Sequence, residues 1–148
     1  MKKVDKLLFA VCLMLAACGG DEDKDTTKPQ IISEGIVALP ADCDSYAAGD
    51  TIEFCYRFTD DCELGSYNIE IHSNFDHHSH STSTTPCEEE QHNEEGSHEK
   101  AQGWIYNQDF SIPNKTTDYV ARQRIAIPND AVAGDYHFAI RLTDMAGW

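Results

Sequence analysis

From Thr51 to Phe58 every second residue is apolar: Ile52, Phe54, Tyr56 and Phe58 alternate with Glu53, Cys55 and Arg57. This is the period-two pattern of a strand with one buried face. An Asp-rich turn from Thr59 to Glu63 follows, and alternation resumes with Tyr67, Ile69 and Ile71 set against Asn68, Glu70 and His72. Two more strands are predicted, Trp104 to Ile112 and Tyr119 to Ile127, each ended by a proline (Pro113, Pro128) that cannot donate to a sheet ladder. The last strand runs from Tyr136 to Leu142, with Tyr136, Phe138, Ile140 and Leu142 inward and His137, Ala139 and Arg141 outward. No segment carries a helical stripe, so the expected class is all-β, a sandwich of short strands.

The closing stretch narrows this expectation. Ala133-Gly134-Asp135-Tyr136 and Leu142-Thr143-Asp144-Met145-Ala146-Gly147-Trp148 resemble the tyrosine-corner strand and following turn of bacterial immunoglobulin-like domains. Such a domain continues with one more strand, whereas this sequence stops at Trp148. Either the sequence is a fragment or the last strand is absent, which would leave strand edges open to another chain.

The N-terminus supplies an address. Met1 to Ala17 has a basic start (Lys2, Lys3, Lys6), an apolar stretch from Leu7, and small residues before Cys18, the layout of a secretory signal. It is too short to span a bilayer as a helix. Leu15-Ala16-Ala17-Cys18 resembles a bacterial lipobox, which implies lipidation of Cys18 and anchorage to the membrane. Residues 18–29 read as an acidic flexible tether, leaving residues 30–148 as a single domain. The expected location is the cell envelope, as an outer-membrane lipoprotein that is periplasmic or surface-exposed.

Removing Met1–Ala17 takes three Lys and one Asp from a chain of formal charge −15, leaving −17. A field of that sign repels nucleic acid and attracts cations. Beyond Cys12 and Cys18, four cysteines remain: Cys43, Cys55, Cys62 and Cys87. In an oxidising compartment they predict two disulfides with three connectivities open; the leaning is Cys43 with Cys87 and Cys55 with Cys62.

The chemistry concentrates in residues 72–98, which hold six of the seven histidines. Continuing the alternation beyond Ile71 places His72, Asn74, Asp76, His78 and His80 on one outward face, with partners two apart about 6.5 to 7 Å from each other. His78 and His80 can then chelate one ion through bonds of about 2.1 Å, with Asp76 as a third ligand or an orienter. His77 adds a further donor. His137 is outward on the last strand, which in an immunoglobulin-like sandwich neighbours the Tyr67 strand, so His72 and His137 are expected to face each other. His92 and His98, among Glu88, Glu89, Glu90, Glu94 and Glu95, look more like a diffuse cation sponge. A solvated loop without any ligand is the plain alternative.

Asp42-Cys43, Leu64-Gly65-Ser66-Tyr67, His72 with Asp76-His77-His78-Ser79-His80, Gly134-Asp135-Tyr136-His137-Phe138, Arg141-Leu142-Thr143-Asp144 and Ala146-Gly147-Trp148 resemble a family of Bacteroidota-type lipoproteins classed as a domain of unknown function. The resemblance implies an immunoglobulin-like domain with a metal-binding, His-rich segment. Cys55 and Cys62 are not part of that pattern.

Three function classes are thereby separated. The first is a lipid-anchored binder of a transition-metal ion, zinc or copper, since imidazole with carboxylate suits both. The second is an interaction module holding a protein or glycan partner at the envelope. The third, a metalloenzyme, is disfavoured: the chain has no His-Glu-x-x-His, nucleophile elbow or phosphate loop, and the motifs that surround the His-x-His of a copper–zinc superoxide dismutase are missing.

Overall fold

A computed structural model describes residues 25–75 and 103–148. Within them lie six strands: β1 (Gln30–Ile32), β2 (Thr51–Thr59), β3 (Leu64–Ser73), β4 (Tyr106–Ser111), β5 (Asp118–Ala126) and β6 (Tyr136–Asp144). They form two antiparallel sheets, in the orders β1-β2-β5 and β4-β3-β6. No helix occurs among the described residues. The chain is thus a β-sandwich, and its strand neighbours match the A-B-E and C′-C-F groupings of the immunoglobulin type.

The alternation seen in the sequence becomes the core. Ile52, Phe54 and Phe58 of β2 and Ala121 and Ile125 of β5 are buried against Tyr67, Ile69 and Ile71 of β3. Phe54 stacks on Tyr67 with ring centroids 6.0 Å apart, and Phe58 meets the same ring at 5.1 Å. The Tyr67 hydroxyl would be costly to bury alone, and it accepts a 2.7 Å hydrogen bond from Gln123 Nε2 across the sheets.

The expected tyrosine corner is present: the Tyr136 hydroxyl donates to the Val132 carbonyl at 2.7 Å. It also accepts from Trp104 N at 3.2 Å, which ties the approach to β4 to the start of β6. β1, three residues long, was not anticipated, because so short a run shows no period. Residues 25–29 also depart from a simple tether. Thr27 Oγ1 donates to Asp61 Oδ2 at 2.9 Å, and Trp148 Nε1 donates to the Asp25 carbonyl at 3.2 Å.

The cysteine pairing requires a correction. Cys55 and Cys62 are free thiols, so the expected Cys55–Cys62 disulfide does not form. Cys55 lies in mid-strand, its backbone bonded in both directions to Leu39 at 2.9 and 3.0 Å. Four residues of extended chain, roughly 13 Å, separate it from the end of β2, well beyond the Cα separation of about 4.4 to 6.8 Å that a disulfide spans. Cys43 is disulfide-bonded, to a partner outside the described residues. Cys87, its expected partner, lies outside them as well.

Candidate functional site

The β3–β6 ladder carries candidate chemistry at both ends. Its register pairs His72 directly with His137 and Ser73 with Tyr136. Antiparallel partners opposite one another share a face, and the two imidazole centroids are 5.4 Å apart, with ring planes at 53°. Two imidazoles on one tetrahedral ion, with bonds of about 2.1 Å, have centroids roughly 5 Å apart, so the spacing suits a shared ion. Both histidines also have interactions beyond this pair.

Glu70 and Arg141 complete this outer face. Glu70 Oε1 stands 3.5 Å from His72 Nδ1, and Glu70 Oε2 pairs with the Arg141 guanidinium. Arg141 Nη1 also donates to Asn68 Oδ1 at 3.3 Å, extending the polar row along the sheet. The sequence reading missed Glu70 and Arg141 as supporting groups. The signal was available, because both have the outward parity of the histidines.

Close packing holds this end of the ladder in place. Phe75 continues the inward face of β3 and meets Tyr136 edge-on, with centroids 5.4 Å apart. Gly134, at φ 148°, makes the approach feasible, since a Cβ there would stand 2.5 Å from a Phe75 ring carbon. Asn74 Oδ1 is buried without a hydrogen-bond partner, two residues beyond His72. Asp76, His77, His78, His80, His92 and His98 lie outside the described residues, and so does the lipidation candidate Cys18. The structure therefore brings together His72 and His137 of the expected ligand set.

The opposite end of the ladder is acidic. Among the described residues, the groups of three or more side chains able to hold a metal are Asp25 with Asp60 and Asp144, and Asp25 with Asp61 and Cys62. Neither was foreseen. Parity again held the signal: Asp60 lies two residues after inward Phe58, and Asp144 two after Leu142, so both acids fall on core-facing positions. Asp144 is only 4% exposed. The Cys62 thiol is pushed up by desolvation and then by Asp25, Asp61 and Asp60.

The chain belongs to a family of domains of unknown function, DUF4625, whose model matches residues 16–148. No curated protein and no solved structure matches it.

Proposed function

Starting from membership of that family, we propose that this chain is a lipid-anchored envelope protein that binds a transition-metal ion, zinc or copper, through His72 and His137 with donors from the histidine-rich segment that follows β3. The observation that carries the reading is the direct cross-strand pairing of His72 with His137 at a centroid separation of 5.4 Å. Glu70 supports it by placing a carboxylate 3.5 Å from His72 Nδ1, at the edge of the proposed site. Asp76, His77, His78 and His80 follow within eight residues of His72 and supply the remaining ligands in this proposal. Binding, rather than catalysis, is the proposed activity. The membrane anchor rests on Leu15-Ala16-Ala17-Cys18. No helix among the described residues is long and apolar enough to cross a membrane.

Calorimetry of the mature chain with Zn²⁺ or Cu²⁺ tests the reading. One tight equivalent is expected at neutral pH, fading below about pH 6 because imidazole must be neutral to coordinate. At about 100 times its Kd the ion should stabilise the fold by roughly 2.7 kcal/mol. Changing His72 and His137 together to Ala, or His78 and His80 together, should abolish the tight equivalent, while changing His92 and His98 should spare it. Equal partial losses from all three double variants would indicate a sponge. Absence of binding by the unaltered chain would favour the interaction module.

A further inference from the structure

Asp60 and Asp144 share an arrangement that protein donors leave half complete. Asp60 Oδ1 accepts from Cys62 N at 2.7 Å and Glu63 N at 3.0 Å. Asp144 Oδ1 accepts from Gly147 N at 2.6 Å and Trp148 N at 2.9 Å. The second oxygen of each carboxylate, Oδ2, is buried without a hydrogen-bond partner. Leaving a buried carboxylate oxygen unpaired is among the costlier things a fold can do. Here it happens twice at one pole, on side chains whose oxygens also approach Asp25.

One oxygen from each of Asp25, Asp60 and Asp144 lies within 4.8 Å of the others, a separation inside the roughly 4.6 to 5.2 Å breadth of a calcium coordination sphere. Among the described residues no Lys or Arg forms an ion pair with any of the three. Lys28, the nearest cation along the chain among the described residues, has its Nζ over the Trp148 ring, 5.6 Å from the centroid. Three carboxylates, two of them holding buried unpaired oxygens, thus have no ion-pair partner among the described residues.

We propose that Asp25, Asp60 and Asp144 form a binding site for a hard divalent cation, Ca²⁺ by its chemistry, which joins the N-terminal segment to the turn-lined pole of the sandwich. All-oxygen ligation suits Ca²⁺, which accepts irregular carboxylate geometry and completes its shell with water, whereas Mg²⁺ demands a tighter octahedron. Zinc and copper prefer the imidazoles at the other end. The cation would meet both orphan oxygens and the Asp25 carboxylate together, offsetting their mutual repulsion. Asp25 belongs to the N-terminal segment, so occupancy would also hold residues 25–29 against the domain. The site is independent of the histidine reading.

Calcium alone, titrated into the full mature chain, tests this by calorimetry and by melting temperature. The expected result is one equivalent with a Kd of about 10⁻⁴ to 10⁻³ M, the range of calcium modules that work outside cells. Tb³⁺ excited through tryptophan should give sensitised emission that Ca²⁺ displaces, because Trp148 donates to both Asp144 and Asp25; Trp148→Phe should remove most of the emission. Asp25→Asn and Asp60→Asn should each weaken Ca²⁺ binding about tenfold or more, and Asp144→Asn should do the same while keeping an oxygen for Gly147 N and Trp148 N. Asp25→Asn alters a partly exposed segment and so tests the site even if Asp144→Asn fails to fold. The His72/His137 double variant should bind Ca²⁺ unchanged. No response up to about 10 mM Ca²⁺, well above the range of such modules, would overturn the proposal, as would undiminished binding in Asp25→Asn and Asp60→Asn.

Discussion

At one end of the β3–β6 ladder two imidazoles meet on the outer face; roughly 25 Å away along the same strands, at about 3.3 Å per residue, carboxylates converge on the inner face. The two ends differ in parity before they differ in chemistry. His72 and His137 occupy outward positions, where water can solvate a polar group and an ion can arrive. Asp60 and Asp144 occupy inward positions just beyond the last apolar residue, so their carboxylates turn under the pole and Asp144 is nearly sealed. A strand pair can therefore present imidazoles at one end and carboxylates at the other without either disturbing the hydrophobic layer between them.

A glycine governs close approach at each end, and the two glycines sharpen the contrast most strongly. A Cβ on Gly65 would lie 2.8 Å from the Asp144 carbonyl oxygen and 2.9 Å from that of Thr143, backbone atoms that cannot step aside. A Cβ on Gly134 would meet the Phe75 ring at 2.5 Å in a left-handed conformation. Gly65→Ala and Gly134→Ala should each destabilise by about 2 to 4 kcal/mol through overpacking and backbone strain, measured by denaturant unfolding. At concentrations where both variants remain folded, the first should weaken Ca²⁺ binding more than Zn²⁺ binding and the second the reverse. If both affinities fell in parallel, the two ends would not be separate sites.

A smaller effect is expected from Tyr136→Phe, which deletes the corner hydroxyl and with it the bonds to Val132 and Trp104. The loss should be about 1 to 2 kcal/mol. Because Tyr136 adjoins His137, zinc or copper affinity should fall modestly while the acidic pole responds as before. Preserved stability would mean that the corner bond is replaced by water.

The smallest effect concerns a carboxylate near the acidic pole that already has its cation. Asp118, opposite Thr59 in the ladder, is held below the usual carboxylate range by hydrogen bonds from Arg57. A carboxyl lowered in the folded state adds stability above its unfolded pKa, near 3.9, and that contribution disappears as the pH falls through the lowered value. The unaltered chain should thus melt slightly above Asp118→Asn at pH 6, with the gap closing below about pH 4; the pair is solvent-exposed, so the gap is small. Ca²⁺ binding should be indifferent to Asp118→Asn, in contrast to Asp60→Asn, although Asp60 N bonds the carbonyl of neighbouring Thr117 at 2.9 Å.

Much of the sandwich could be anticipated residue by residue. The alternations in Thr51–Phe58 and Tyr67–Ile71 became β2 and β3 with the inward residues buried, apart from half-buried Tyr56, because a strand's side chains must alternate and the sheet has one apolar face to cover; Cys55, of opposite parity, is buried too. The facing of His72 and His137 was equally legible, since parity and the sandwich's strand order together leave few alternatives. The Cys55–Cys62 pairing failed where proximity in sequence was taken as proximity in space: seven residues of mostly extended chain carry two cysteines apart.

By itself, then, the order of apolar and polar residues determined that the five longer strands form, which face of each turns inward, and that imidazoles line the outer side of β3 and β6. Only the tertiary structure decided that Asp25 of the N-terminal segment, Asp60 of the turn after β2 and Asp144 at the end of β6 meet at one pole. The reason is physical: periodicity is a local property that side-chain geometry imposes within a strand, whereas the meeting of three acids far apart in sequence depends on how the sheets stack and how the turns close over the core.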